Sequence, residues 1–197
     1  MRKQFFMLLV VATVLGGVRL ALAQQVKDLT GHDLSAQELI QVLTPKERYR
    51  GISLKPPECK HFREEASRGI KPVPKADIAA IRVEFETNSA DLTPQAKQNL
   101  DQLGQALASA ELKPCCFEIQ GYTDNTGSTV YNKQLSERRA QSVIDYLVAH
   151  NAVEANRMMP KGFGKSHFVA SNDTEQGRAM NRRVQVVNLG YGTAATP

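Results

Sequence analysis

Gly121-Tyr122-Thr123-Asp124-Asn125-Thr126-Gly127 leads, through Ser128-Thr129-Val130-Tyr131, into Asn132-Lys133-Gln134-Leu135-Ser136-Glu137-Arg138-Arg139-Ala140. The first part closes an alternating apolar run, Phe117-Glu118-Ile119-Gln120, and turns polar at Asn125-Thr126-Gly127. The second part opens an amphipathic segment that continues to about His150. The stretch therefore reads as strand end, loop and helix start. In an open α/β layer, ligands gather at the carboxyl ends of strands, beside helix N-termini. Asp124 projects from such an end, and Arg138 and Arg139 fall in the first turns of the helix. One fixed negative and one fixed positive group in a single crevice suit a zwitterionic ligand.

Outward from this stretch, the elements alternate. Downstream, the helix from about Asn132 to His150 carries a core stripe of Ala140, Val143, Ile144, Leu147 and Val148. Residues 153–157 turn the chain, Met158 to Gly162 is a strand ending in Gly162-Phe163-Gly164, and Thr174 to Asn181 is a short helix weakened by Gly177. Arg183 to Leu189 alternates well enough for a last strand, with a small-residue tail over 191–197. Upstream, Cys115 to Tyr122 is a strand. Before it lies a helix opened by Thr93-Pro94, a cap and first-turn pair, with Ala96, Leu100, Leu103, Leu107 and Ala110 on one face. Ile81 to Phe85 alternates as a first strand, followed by a turn over 86–92. The order βαβαββ predicts a two-layer α/β domain over residues 76–190, with a mixed sheet and helices on one face.

The N-terminal third reads differently. Arg2 and Lys3, then an apolar run from Phe5 to Leu15, then Ala21-Leu22-Ala23, have the plan of a secretory signal peptide over 1–23. The run is short for a bilayer span of ~20 residues. The mature chain is expected to be exported without a transmembrane segment. Residues 24–75 read as an extended arm. Its one helix, over Asp33 to Leu43, is capped by Asp33 or Ser35 with a stripe of Leu39, Ile40 and Leu43. Pro45, Pro56-Pro57, Pro72 and Pro74 break up the rest.

Composition removes several function classes. The net charge of +5 over 197 residues falls to +2 without the three basic residues of the leader, so the basic balance is poor evidence for nucleic-acid binding, which wants a clustered basic face. Aromatic residues make up 6% and Trp is absent, which argues against a base- or sugar-stacking surface. Four scattered His residues and three Cys supply no metal-ligand spacing, and no cofactor is expected. Neither Gly-x-Ser-x-Gly nor His-Glu-x-x-His occurs, so the chain is not expected to be an enzyme. In an exported chain three Cys permit one disulfide. Cys115 shares the buried strand face with Phe117 and Ile119, and Cys116 points the other way. A Cys59–Cys116 bridge would pin the arm to the domain; three free thiols are the alternative.

Taken singly, the candidate site residues have ordinary explanations. Asp124 suits a turn, Asn132 a helix cap, and Arg182-Arg183 a charge pair at a strand start. Arg139 is the exception. A cation near a helix N-terminus opposes the macrodipole, so it calls for a carboxylate partner or an anionic ligand.

Gly121-Tyr122-Thr123-Asp124, Gly127, Asn132, Leu135-Ser136, Arg139-Ala140, Gly162-Phe163-Gly164, Asn172, Gly177-Arg178-Ala179 and Asn181-Arg182-Arg183-Val184 together resemble the OmpA-like C-terminal domain family, as do Phe85, Asn88-Ser89-Ala90 and Leu92. The resemblance covers about Asp77 to Leu189. It implies non-covalent binding of peptidoglycan, through the diaminopimelate residue of the stem peptide, in the periplasm of a Gram-negative envelope. Family positions place Asp124 on the ligand ammonium and Arg139 on a ligand carboxylate; Asn132, Asn88 and Arg182 match positions lining the same pocket. Tyr122 stands where the family usually has His. An envelope protein docking residues 24–75 would supply a tether to the outer membrane. Two other readings follow from the same residues: a structural or regulatory subunit of an envelope complex with a degenerate pocket, and an enzyme acting on the cell wall.

Overall fold

Local chemistry sets the ends of each element in the computed structural model, which describes residues 26–29, 34–45, 59, 78–81, 83–86 and 88–191. The chain runs β1 (Val26–Asp28), α1 (Ala36–Leu43), β2 (Ile78–Ile81), α2 (Pro94–Leu107), β3 (Cys115–Tyr122), α3 (Thr129–Asn151), a 3-10 turn (Ala155–Arg157), β4 (Met158–Gly164), α4 (Glu175–Asn181) and β5 (Val184–Tyr191). The Thr93 hydroxyl accepts the Ala96 N–H at 3.2 Å, with Pro94 in the first turn of α2. Ser128 caps α3 through the Tyr131 N–H at 3.2 Å, and Ala152 ends that helix in the left-handed region.

One five-stranded sheet has the order β1-β2-β5-β3-β4. β1 is parallel to β2 and β3 to β4, while β5 runs antiparallel to both β2 and β3. Ala79, Ile81, Phe117, Ile119, Val184 and Val186 face one side. They pack there with Leu39 and Leu43 of α1, Leu100, Leu103 and Leu107 of α2, and Val143, Ile144 and Leu147 of α3. The expected mixed sheet with helices on one face is the observed architecture.

Several boundaries move. The first main strand is Ile78–Ile81, not Ile81–Phe85; all four of its side chains are buried, so it shows no alternation to read, and Phe85 only bridges to Leu92. Part of the supposed arm belongs to the domain. β1 adds an edge strand to β2, and α1, capped by Ser35, docks on α2 with its last carbonyl, Leu43 O, held by the Asn188 side chain at 2.7 Å. α3 begins at Thr129, three residues early. Val148 is exposed rather than in its core stripe, and α2 stops before Ala110, which is exposed. Cys59 and Cys116 form the disulfide, with Cα atoms 5.8 Å apart, and Cys115 is a buried thiol. The leader, most of residues 46–77 and the tail after Tyr191 lie outside the described residues.

Two contacts fix α3 over the strand ends. A Cβ on Gly121 would stand 2.1 Å from the Ser136 carbonyl oxygen, and one on Gly162 would stand 2.6 Å from Lys133 O and Glu137 N. Only glycines let the helix backbone come that close to β3 and β4. The Ser136 hydroxyl accepts the Gly164 N–H at 2.9 Å, and the Lys133 ammonium donates to Gly162 O. α3 is thus set against the carboxyl ends of two parallel strands.

Candidate functional site

Asp124 leaves β3 as the sheet ends, where the Thr123 N–H still bonds Gly164 O at 3.0 Å. Its Oδ1 accepts the Thr126 N–H at 2.9 Å, an Asx turn that holds the carboxylate in place. The Asn132 side chain donates to Thr126 O at 2.6 Å and Ser128 O at 3.0 Å. Asn132 is therefore the brace that ties the loop to the first turn of α3.

Arg139 reaches the crevice from the third turn of α3. Counted from Thr129 it lies about 15 Å along the axis, so the expectation that it opposes the helix macrodipole does not hold. What positions it is the segment 85–92. Its guanidinium stacks 4.8 Å above the Phe85 ring, and Nε donates to Ser89 O at 2.9 Å. That segment is itself closed by the Glu86 N–H on Asp91 O at 2.9 Å and the Ser89 hydroxyl on Asp91 Oδ2 at 2.7 Å. Asn88 sits at its tip with φ of 59° and accepts the Tyr131 hydroxyl at 3.1 Å, making the rim.

Arg182 completes the cluster. One Nη donates to Asp124 Oδ2 at 2.9 Å and the other to Glu175 Oε1 at 2.6 Å. Its neighbour turns away: the Arg183 guanidinium stacks 3.9 Å from the Tyr122 ring on the helix-free side of the sheet. Tyr122 also faces that side, donating to Gln120 Oε1 at 2.6 Å and stacking on Phe163 at 5.0 Å. Burial pushes the Tyr122 phenol up to about 12, a rise which nearby Arg183 opposes.

The electrostatics are unequal. Burial pushes the Asp124 carboxyl up, but the hydrogen bonds from Arg182 and Thr126 outweigh it and hold the group below the ordinary aspartate value. Burial and the positive charge of Arg182 lower Arg139, against the partial support of Asp124. Arg139 is only 8% exposed, and among the described residues neither of its Nη nitrogens has an acceptor. The arrangement can take an anion on the Arg139 fork and an adjacent cation on the free lone pairs of Asp124.

The structure thus brings together Asp124, Arg139 and Arg182, with Asn132 as the loop brace and Asn88 on the rim. Glu175, which orients Arg182, is absent from the sequence-based set. Exposed and seven residues away, it carries no pattern beyond following the Thr174 cap. Phe85, Ser89 and Tyr131 are further positioning groups; only their place among the residues that carry the resemblance signals the first two.

Comparison with known proteins follows this geometry. The sequence model of the OmpA family matches residues 84–182, half of the chain. The outer membrane protein A of Klebsiella pneumoniae is 40% identical over 121 residues, 57% of this chain and 35% of that protein. The Bordetella avium outer membrane protein A is 38% identical over 122 residues, 61% of each chain. This chain therefore spans less than two thirds of the length of these relatives. Among solved structures, the periplasmic domain of Helicobacter pylori MotB superposes with a TM-score of 0.53 at 19% identity, over 63% of this chain and 78% of that one, a likeness of fold.

Proposed function

Because the chain belongs to the OmpA family, we propose that it binds peptidoglycan non-covalently, through the diaminopimelate residue of the stem peptide, in the periplasm of a Gram-negative envelope. The observation that carries this reading is Arg139, a residue only 8% exposed whose two Nη nitrogens bond no acceptor among the described residues, in one crevice with a carboxylate fixed by its own turn. A buried cation without an anion is costly. A ligand that brings a carboxylate together with an ammonium relieves that cost and keeps the crevice neutral. The side-chain end of diaminopimelate carries those two groups on one carbon. Arg139 takes the carboxylate bidentately, Asp124 accepts the ammonium beside Arg182, and Asn88 and Tyr131 close the rim. Nothing in this role needs a nucleophile, metal or cofactor, and the protein acts as a binding module. An envelope partner would engage residues 24–75, of which Val26–Asp28 and Ala36–Leu43 are built into the domain.

Co-sedimentation with purified sacculi tests the reading, wild type beside Asp124→Ala/Arg139→Ala. Loss of binding in a folded double variant supports the site. Wild-type protein that stays in the supernatant would refute the function. Release of soluble muropeptides would show a cell-wall enzyme instead.

A further inference from the structure

The crevice is not a symmetric trap for a zwitterion. Asp124 enters it already neutralised: Oδ2 is bonded to Arg182 and Oδ1 to the Thr126 N–H. Arg182 in turn is shared between two carboxylates, those of Asp124 and Glu175. Among the described residues Arg139 has no such partner. Its Nε is held by Ser89 O and its face by Phe85, and its two Nη nitrogens are left to whatever enters. Two guanidinium groups thus face one carboxylate at the centre, with Glu175 exposed at the margin. Among the described residues, Arg139 is the charged group of this cluster to which no opposite charge is bonded.

On the reading proposed above, we infer that the crevice is first a receptor for a free carboxylate, so that it rejects stem peptides whose diaminopimelate side-chain carboxylate has been converted to the carboxamide. A carboxylate gives Arg139 two charge-assisted bonds and cancels its charge. A carboxamide offers one oxygen and no charge, and its NH2 meets a guanidinium that can only donate. The ammonium is the weaker handle, because Asp124 must share itself with Arg182 to receive it.

Calorimetric titration of the purified protein with three stem tripeptides separates the cases. One ends in diaminopimelate, one in its side-chain carboxamide, and one in 2-aminopimelate, which keeps the carboxylate but lacks the side-chain amine. The carboxamide is expected to bind at least about tenfold more weakly than the acid, and the aminopimelate peptide to lose less than the carboxamide does. In Arg139→Gln the ratio of acid to carboxamide affinity should fall to near one. Equal binding of acid and carboxamide by the wild type would overturn the inference while leaving the diaminopimelate reading intact. A larger loss from removing the amine than from amidating the carboxylate would overturn it too. No binding of any of the three would bring down the reading itself, and the inference with it.

Discussion

Gly121→Ala is the smallest change that should disturb both the fold and the crevice. The added Cβ would lie 2.1 Å from the Ser136 carbonyl oxygen and 2.9 Å from its carbon. A close carbon–oxygen contact needs about 3.3 Å, so α3 and the end of β3 must part by about 1 Å. Both colliding groups are backbone, and no side-chain rotation relieves the clash. Overpacking in a core typically costs about 1–3 kcal/mol, and this case belongs at the upper end. The shift also strains the Ser136 hydroxyl bond to the Gly164 N–H, worth about 1 kcal/mol. A total near 3–4 kcal/mol follows, and Tm should fall by about 10 °C or more for a domain of this size. Since α3 carries Arg139, ligand affinity should fall in the fraction that remains folded. Urea denaturation with a two-state fit, beside a binding titration at a temperature where the variant is folded, reads both effects. A variant within about 0.5 kcal/mol of wild type would refute the claim that backbone contact seats α3 on the sheet.

Three further expectations concern stability. Replacing Cys59 and Cys116 with Ser opens a loop with a sequence separation of 57 and should cost about 4 kcal/mol by loop entropy; denaturation with and without reductant measures it, and an unchanged midpoint would mean that the bridge constrains little. Arg157 is 3% exposed and donates to Leu107 O, Leu112 O and Cys115 O, joining the end of α2 to the start of β3. Arg157→Met should cost about 2–4 kcal/mol in chemical denaturation, whereas a loss below about 1 kcal/mol would show that the cost of burying the cation cancels its bonds. Asp124 has a folded pKa below its ordinary value. Its contribution is therefore complete above about pH 4 and is lost as pH falls through the lower, folded value. Wild-type stability should drop more steeply than that of Asp124→Asn below about pH 4, and parallel curves would remove Asp124 from the ion pair.

The legible parts of the fold were those with local signals. The alternation Phe117-Glu118-Ile119 gives β3 its buried face, Thr93-Pro94 marks the start of α2, and the apolar spacing from Ala140 to Leu147 sets the inner face of α3. β1 has no such signal: three residues form a strand only because β2, fifty positions later, offers an edge. Ile78–Ile81 is buried on both faces and shows no period. At the site, the strand end and helix start pointed to Asp124 and the Arg138-Arg139 pair, but the resemblance, not the helix charge, chose Arg139. The pairing of Arg182 with both Asp124 and Glu175 could not be read, because it depends on how α4 folds back over the loop after β3. Spacing alone left Arg182 and Arg183 undecided and the resemblance picked Arg182; its guanidinium bonds Asp124 and Glu175, while that of Arg183 stacks on Tyr122.

The most direct measurement is an NMR titration of the protein with the diaminopimelate stem peptide, followed through backbone amides and the Arg139 Nε resonance. The account predicts that shifts concentrate at Ser89, Asp124, Thr126, Arg139 and Arg182, with the Arg139 signal sharpening as its Nη groups are engaged. Shifts confined to Tyr122, Phe163, His167 and Gln185, which line a groove on the helix-free face of the sheet, would place the ligand on the opposite side and contradict it.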